Sequence, residues 1–291
     1  MMRRALVVSV LPLLASLLAV RVFAAVQTPT LPTPPQTSTT PAPSVPQISA
    51  TQAPPTLTPR VLARYPHDPA AFTEGFEWMA GTLFESTGLV GESSIRRTEL
   101  PSGQVTQRRA PPSNKVFAEG LSVLKNVVYQ LTWKDGLVYL YDAQNLKSLG
   151  ELKLSGEGWG LTNDGQQLIM SNGSNTLSWR DPVTFEQTKS VRVTAQGVDV
   201  TNLNELEYVN GSVYANVWLS NKLARINPAS GRVTAWLDVS ELTRQAQAAA
   251  TEAGTELGFD DVPNGVAYDA QKGTLLLTGK RWPLVFEVAL P

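Results

Sequence analysis

From about residue 60 onward, apolar residues come in strand-length runs cut by turn sequences such as MAG, PSG, KDG, NDG, NGS, PASG and QKG. Such runs between glycine-containing breaks predict β-strands joined by tight turns. A helical period shows once, in SELTRQAQAAATEAG, where Ser240 is placed to cap a helix and Gly254 to stop it. Everything else in this part reads as all-β.

A short motif recurs at strand starts: a polar or aromatic residue, then glycine or glutamate, then an apolar residue. It occurs in TEGFEW, AEGLSV, GWGLTN, LNELEY and PNGVAY, with first residues Glu74, Glu119, Trp159, Asn204 and Asn264. The spacings are 45, 40, 45 and 60 residues, and the longest holds the helix. About four strands per unit at this period make a propeller blade. The expected fold is therefore a five-bladed β-propeller with one short helical insertion in the last repeat. The final unit stops a strand short, and PRVLARYP (59–66) is placed to supply the missing strand and close the ring.

The innermost strand of each blade lines the central channel, so the motif residues should converge at one mouth. A second ring comes from the end of the next strand in each repeat: Trp133, Asn172, Trp218 and Lys280. With Asn204 and Asn264, the mouth would hold two carboxylates, three tryptophans, three amides and a lysine. A polar centre with aromatic walls is the usual character of a small-ligand site. Packing accounts for part of this pattern. Motif glycines permit close strand approach, tryptophans fill the space between blades, and the Asn-Gly pairs of SNGSN and VNGSV are hairpin signals. The joint pattern goes further, because equivalent positions are polar or aromatic where β-propensity favours Val or Ile.

The N-terminus has a different composition. Residues 1–4 are basic, residues 5–20 form an apolar run broken by Pro12, and VFAA offers small residues for cleavage. This predicts a signal peptide over residues 1–24 and export to the periplasm, cell envelope or medium. The run is shorter than the roughly 18 residues of a membrane span. Residues 25–59, rich in Pro, Thr, Ser and Gln, read as a disordered tether. Residues 60–291 remain for the propeller, enough for one large core.

Charge and rare residues narrow the chemistry. The chain carries a net charge of −1, more negative once Arg3, Arg4 and Arg21 leave with the leader, so no basic field points to nucleic acid. The absence of cysteine excludes disulfides, thiolate chemistry and a lipid-anchored lipobox. One histidine, His67, rules out a three-histidine zinc site and would have to serve any Ser-His-Asp triad. Bracketed by Pro66 and Pro69, it reads as a turn residue at the surface or a blade edge.

The stretches HDPAAFTEGF, FAEGLSVLKNVVYQLTW, GWGLTNDG, LNELEYVNGSVYANVW and LTGKRWPLVFEV together resemble the plant- and bacterial-type glutaminyl-peptide cyclotransferases. They run in order from Tyr65 to Val288. The resemblance implies a five-bladed propeller that converts an N-terminal glutamine of peptides or proteins to pyroglutamate, releasing ammonia. It places the acid/base on Glu119, with Asn204 and Lys280 as further catalytic residues. It places the aromatic walls on Phe72, Phe117, Trp133, Trp159 and Trp218. Two departures stand out: Glu74 where the family pattern has glutamine, and Ala118 where it often has glycine. Glu74 is read as a substrate-binding residue that hydrogen-bonds the substrate's amide or ammonium, or else pairs with Lys280.

The residue types suit that chemistry. The α-amine must attack the side-chain amide carbon, and one proton must pass from the attacking nitrogen to departing ammonia. A single buried carboxyl with a raised pKa can carry it both ways. Asn204 and Lys280 are suitable oxyanion donors, and an intramolecular reaction gains much from positioning. No cofactor is required, although a structural cation on the propeller axis stays open. The partners expected are glutamine-initiated peptides, on a monomeric, non-spanning protein. Two other readings compete. One is a lactonase-like propeller hydrolase dependent on a divalent cation. The other is a non-catalytic propeller that binds a peptide or sugar.

Overall fold

The computed structural model of the protein describes residues 53–290. The signal-peptide reading and most of the tether reading lie outside the described residues. Four-stranded antiparallel sheets repeat along the chain. Blade one comprises Thr73–Met79, Thr82–Thr87, Ser94–Glu99 and Gln104–Arg109. Blade two comprises Ala118–Leu124, Val127–Thr132, Leu137–Asp142 and Ser148–Lys153. Blade three, with shorter inner strands, comprises Leu161–Asn163, Leu168–Met170, Thr176–Arg180 and Gln187–Arg192. Blade four comprises Leu203–Val209, Ser212–Val217, Lys222–Ile226 and Val233–Asp238.

Blade five takes three strands from the C-terminus, Pro263–Asp269, Thr274–Gly279 and Leu284–Ala289, and its outer strand, Val61–Pro66, from the N-terminal side. The pairing is antiparallel, with Tyr65 opposite Val285, so the ring is closed by hydrogen bonds between distant ends of the chain. Each inner strand packs against the next, and the last packs against the first.

The core follows from the strand period. In the inner strands nearly every residue is buried, because one face meets the preceding blade and the other meets the next. Five apolar clusters result, each straddling two neighbouring blades: Phe84 and Ile95 with Tyr139 and Tyr141 between blades one and two, for example, or Phe76 and Leu83 with Leu276 and Val285 between blades one and five.

Three local expectations need correction. Thr56–Leu57, inside the stretch read as tether, forms a short parallel strand on the outer edge of blade four, so folded chain begins ahead of residue 60. The helix runs Ser240–Glu252 between blades four and five, but Ser240 is its first residue and caps nothing. Its amide and hydroxyl instead donate to the Asp238 carboxylate, at 2.9 and 2.5 Å. The helix is held by Leu242 and Ala246, packed into the blade four–five cluster, and Gly254 ends it at φ +78° as expected. His67, finally, is buried and not a surface turn residue. Among the described residues no helix is long and apolar enough to cross a membrane.

Candidate active site

The motif residues do gather at one mouth of the channel. A cavity of about 370 Å³ is lined by Phe72, Glu74, Leu89, Phe117, Glu119, Trp133, Trp159, Asn204, Trp218, Asp260 and Lys280. The nine residues given catalytic or substrate-binding roles above are all among them, whereas Asn172 and Asn264 of the two rings are not. The volume is that of a small-ligand pocket. Two other hollows, beside the helix and at the outer edge of blades two and three, lack a buried acid beside a buried cation.

The backbone explains the second ring. In blades one, two, four and five the residue that follows the second strand donates its N–H to the carbonyl two positions ahead of the motif. Trp133 bonds Phe117, Trp218 bonds Asn202 and Lys280 bonds Val262, at 2.9–3.0 Å. Blade one makes the same bond from Gly88 to Phe72 at 2.8 Å. Gly88 is the blade-one counterpart of Trp133, and a Cβ there would run into the Phe117 ring and crowd Glu74. Glycine at this position is what lets Phe117 and Glu74 share the mouth. Motif glycine Gly160 has a similar task, since a Cβ would strike the backbone of Asn204 on the next blade.

The aromatic walls form two edge-to-face groups, Phe72–Phe117–Trp133 and Trp159–Trp218. One carboxylate oxygen of Glu157 joins them, accepting both indole N–H groups, from Trp133 at 3.0 Å and from Trp159 at 3.1 Å. Glu157 occupies the blade-three position that is Phe72 in blade one and Phe117 in blade two. Its role is thus readable from the repeat, although the motif itself does not include it. The same offset from Glu74 reaches Gly88, and Leu89 is the residue after it. Asp260 has no repeat position, because it lies in the inserted segment between the helix and blade five.

The polar floor is divided between paired and unpaired groups. Lys280 Nζ lies 2.7 Å from Glu74 Oε1 and over the Phe72 ring at 4.5 Å. Asn264 donates to the other Glu74 oxygen at 3.1 Å and to the Thr73 carbonyl at 2.9 Å. Asn264 is therefore beneath the cavity and not in it, while Asn172 is exposed and accepts from Ser174. Of three amides expected at the mouth, only Asn204 lines it. Asn204 is buried and its side-chain oxygen has no partner among the described residues. An orphaned buried acceptor costs about 1–3 kcal/mol, which a bound substrate N–H would recover.

Glu119 is buried, yet no donor among the described residues reaches its carboxyl. Burial pushes its pKa well above the ordinary carboxylate range, and the charge of Glu74 pushes it further, with Lys280 opposing. Glu74 is pushed up to about 7 by burial, against the charge and hydrogen bond of Lys280 and with a small push from Asp260. Contact separates the two. Glu74 touches an ammonium and an amide, which favour its charged form, whereas Glu119 touches neither, so of the two Glu119 is the one whose surroundings favour holding a proton.

A family model described as glutamine cyclotransferase matches residues 35–290. The chain belongs to that family. A glutaminyl-peptide cyclotransferase of Arabidopsis thaliana is 40% identical over 232 residues, 79% of this chain and 70% of that one. The crystal structure of Myxococcus xanthus glutaminyl cyclase superposes with a TM-score of 0.74 at 35% identity, covering 81% of this chain and 97% of that one. Within this chain the glutamate at position 74 is accounted for locally. Its extra charge is met by Lys280 and Asn264, so the mouth gains an ion pair and not a bare second anion.

Proposed function

We propose that the protein is a glutaminyl-peptide cyclotransferase, closing the N-terminal glutamine of a peptide to pyroglutamate and releasing ammonia. The observation that carries this reading is Glu119: a buried carboxyl with a raised pKa and no hydrogen-bond partner among the described residues, on the floor of an aromatic cavity, beside a buried lysine–carboxylate pair.

The aromatic faces hold the glutamine folded back, with its neutral α-amine over the side-chain amide carbon. As the amine attacks, the carbonyl oxygen gains charge, and Lys280 and the Asn204 amide are placed to donate to it. Glu119 gives its proton to the amide nitrogen as the carbon–nitrogen bond breaks, and takes one back from the new ring nitrogen. Carboxyl and lysine thus return to their starting states, and one ammonia leaves. Glu74 keeps the Lys280 ammonium in place.

The cation-dependent hydrolase is less well supported. Among the described residues no three carboxylate or histidine side chains are arranged to hold a metal ion, and Lys280 occupies the contact that an ion would make with Glu74. The basic, apolar and small-residue order of residues 1–25 supports export, which fractionation of expressing cells would test. The function itself is tested by ammonia release from a short glutamine-initiated peptide, with and without chelator, beside Glu119→Gln. Chelator-resistant release that disappears in the variant is expected. A folded wild-type protein that releases no ammonia from any such peptide would overturn the reading.

A further inference from the structure

His67, the single histidine, lies outside the cavity and the chemistry above does not use it. It stands where blade one meets the loop 280–283, which follows the second strand of blade five and begins with Lys280. Three ties cross that seam: His67 N–H to the Pro283 carbonyl at 2.9 Å, Arg281 N–H to the Ala71 carbonyl at 2.7 Å, and His67 Nδ1 to the Trp282 carbonyl at 2.6 Å. The other ring nitrogen, Nε2, lies 2.9 Å from Glu85 Oε1 in the second strand of blade one.

Both partners are acceptors. A carbonyl has no proton to give, and Glu85 Oε1 already accepts the Thr73 hydroxyl at 2.7 Å, with its other oxygen 3.8 Å from Arg96 Nε. Two acceptors on one ring require two ring N–H groups, so the ring is an imidazolium. The charges agree. Arg96 also holds Asp68 at 2.7 Å, so His67 and Arg96 balance Glu85 and Asp68. A neutral ring would leave the cluster with a net negative charge, in a place where the His67 and Glu85 side chains are 3% and 2% exposed. The remaining groups facing the ring are the Thr278 hydroxyl from blade five, 3.4 Å from Nδ1, and the edge-on Phe76 ring at 6.2 Å. Burial alone pulls the imidazolium pKa down. The charge and hydrogen bond of Glu85 and the Trp282 carbonyl outweigh it, with Arg96 opposing, and the net direction is up.

The loop needs holding. Arg281 is a non-glycine residue at φ +56°, a conformation that persists only when its surroundings impose it. Trp282 supplies part of that constraint, its ring against Gly279 and its indole N–H on the Asp261 carbonyl at 2.9 Å. The Arg281 N–H bond to Ala71 and the His67 contacts supply more of it. The same loop presents Lys280 to Glu74, and the His67 segment carries Phe72, on which Lys280 rests.

We propose that His67 is a buried imidazolium clasp that fixes the loop 280–283 to blade one and so positions the Lys280–Glu74 pair for reaction. The charge state stands on geometry alone, whereas the kinetic consequence rests on the cyclotransferase reading.

A single histidine makes a direct test available. The full chain, untagged and labelled with ¹⁵N-histidine, gives one pair of ring nitrogens in a long-range ¹H–¹⁵N spectrum. At about pH 7.5, above the ordinary histidine pKa, both nitrogens are expected to be protonated, with two slowly exchanging N–H signals. One protonated and one bare nitrogen would overturn the clasp. His67→Gln, which keeps one donor, is then expected to lower kcat between about tenfold and a hundredfold with KM nearly unchanged, and to displace the alkaline limb of the pH–rate profile. Unchanged kcat and an unchanged alkaline limb would remove the positioning role. A variant that does not fold leaves the decision to the wild-type spectrum. If wild-type protein released no ammonia, the cyclotransferase reading would fail, yet two ring N–H signals would still support the clasp.

Discussion

Buried glutamates occur at two levels of the channel, and they are treated in opposite ways. Deeper in the channel, each of Glu77, Glu205 and Glu207 is used as a stitch. Glu205 of blade four accepts the Phe76 N–H of blade one at 3.1 Å and the Val266 N–H of blade five at 2.8 Å. Glu77 takes the Val123 N–H of blade two at 2.8 Å, and Glu207 the Tyr268 N–H of blade five at 2.9 Å. At the mouth, Glu74 is matched with a cation, and Glu119 has no hydrogen-bond partner among the described residues. All are buried carboxyls with raised pKa values. Burial and a perturbed pKa therefore do not separate a structural carboxyl from a reactive one in this molecule. The separating feature is whether the protein itself satisfies the oxygens, because an unsatisfied buried group carries a cost that only a ligand offsets.

Removing the free carboxyl should give the largest functional effect. Glu119→Gln is expected to lose on the order of 10²–10⁴-fold in kcat, the range of a general acid–base residue, with thermal stability equal to or above wild type. A large fall in Tm would mean that Glu119 is also a stitch. Next comes the paired carboxyl. Lys280→Met strands Glu74 without its cation and should cost about 3–5 kcal/mol. Adding Glu74→Gln should restore most of the stability but none of the activity. Recovered activity in the double variant would exclude Lys280 as an oxyanion donor.

The deep level should show the reverse pattern. Glu205→Ala orphans two backbone N–H groups and should lower stability by about 1–3 kcal/mol for each group left unpaired, with kcat per folded molecule retained. Denaturant unfolding beside ammonia release measures both. The smallest effect is shared by both levels and follows from linkage. Glu77 is pushed up to about 7 from an ordinary 4.5, chiefly by burial, so the folded state binds its proton more tightly than the unfolded state. Its contribution is full below about 4.5 and is lost as pH rises through about 7, and Glu74, Glu119, Glu205 and Glu207 act in the same sense. Tm should accordingly be higher near pH 5.5 than near pH 8.5, by a few degrees for each kcal/mol lost. A Tm that rises over this interval would mean that the deep carboxyls are ionised in the folded protein.

Much of the site was legible because a propeller turns repeat position into location. Once Glu74, Glu119, Trp159, Asn204 and Asn264 were aligned, strand alternation and ring closure placed them around one axis. The fixed offset to the second strand then placed Trp133, Trp218 and Lys280 above them. That reasoning is local and periodic, and it also located the helix, the closing strand and the cavity. It failed where a residue departs from its equivalents. Asn172 faces solvent, with its side-chain oxygen taken by Ser174 in the same turn. Asn264 is turned under the cavity by Glu74.

The order of the chain alone determined the number of blades, the face of each strand and the set of side chains at the mouth, since these depend on spacing and on period. The tertiary structure alone decided the partners. Lys280 meets Glu74, and His67 meets Glu85 and the Trp282 carbonyl, across the seam where the last blade closes on the first. Pairings between residues so far apart in the chain depend on which blades become neighbours and on ångström-scale approach. They determine which buried carboxyl is left free to carry a proton.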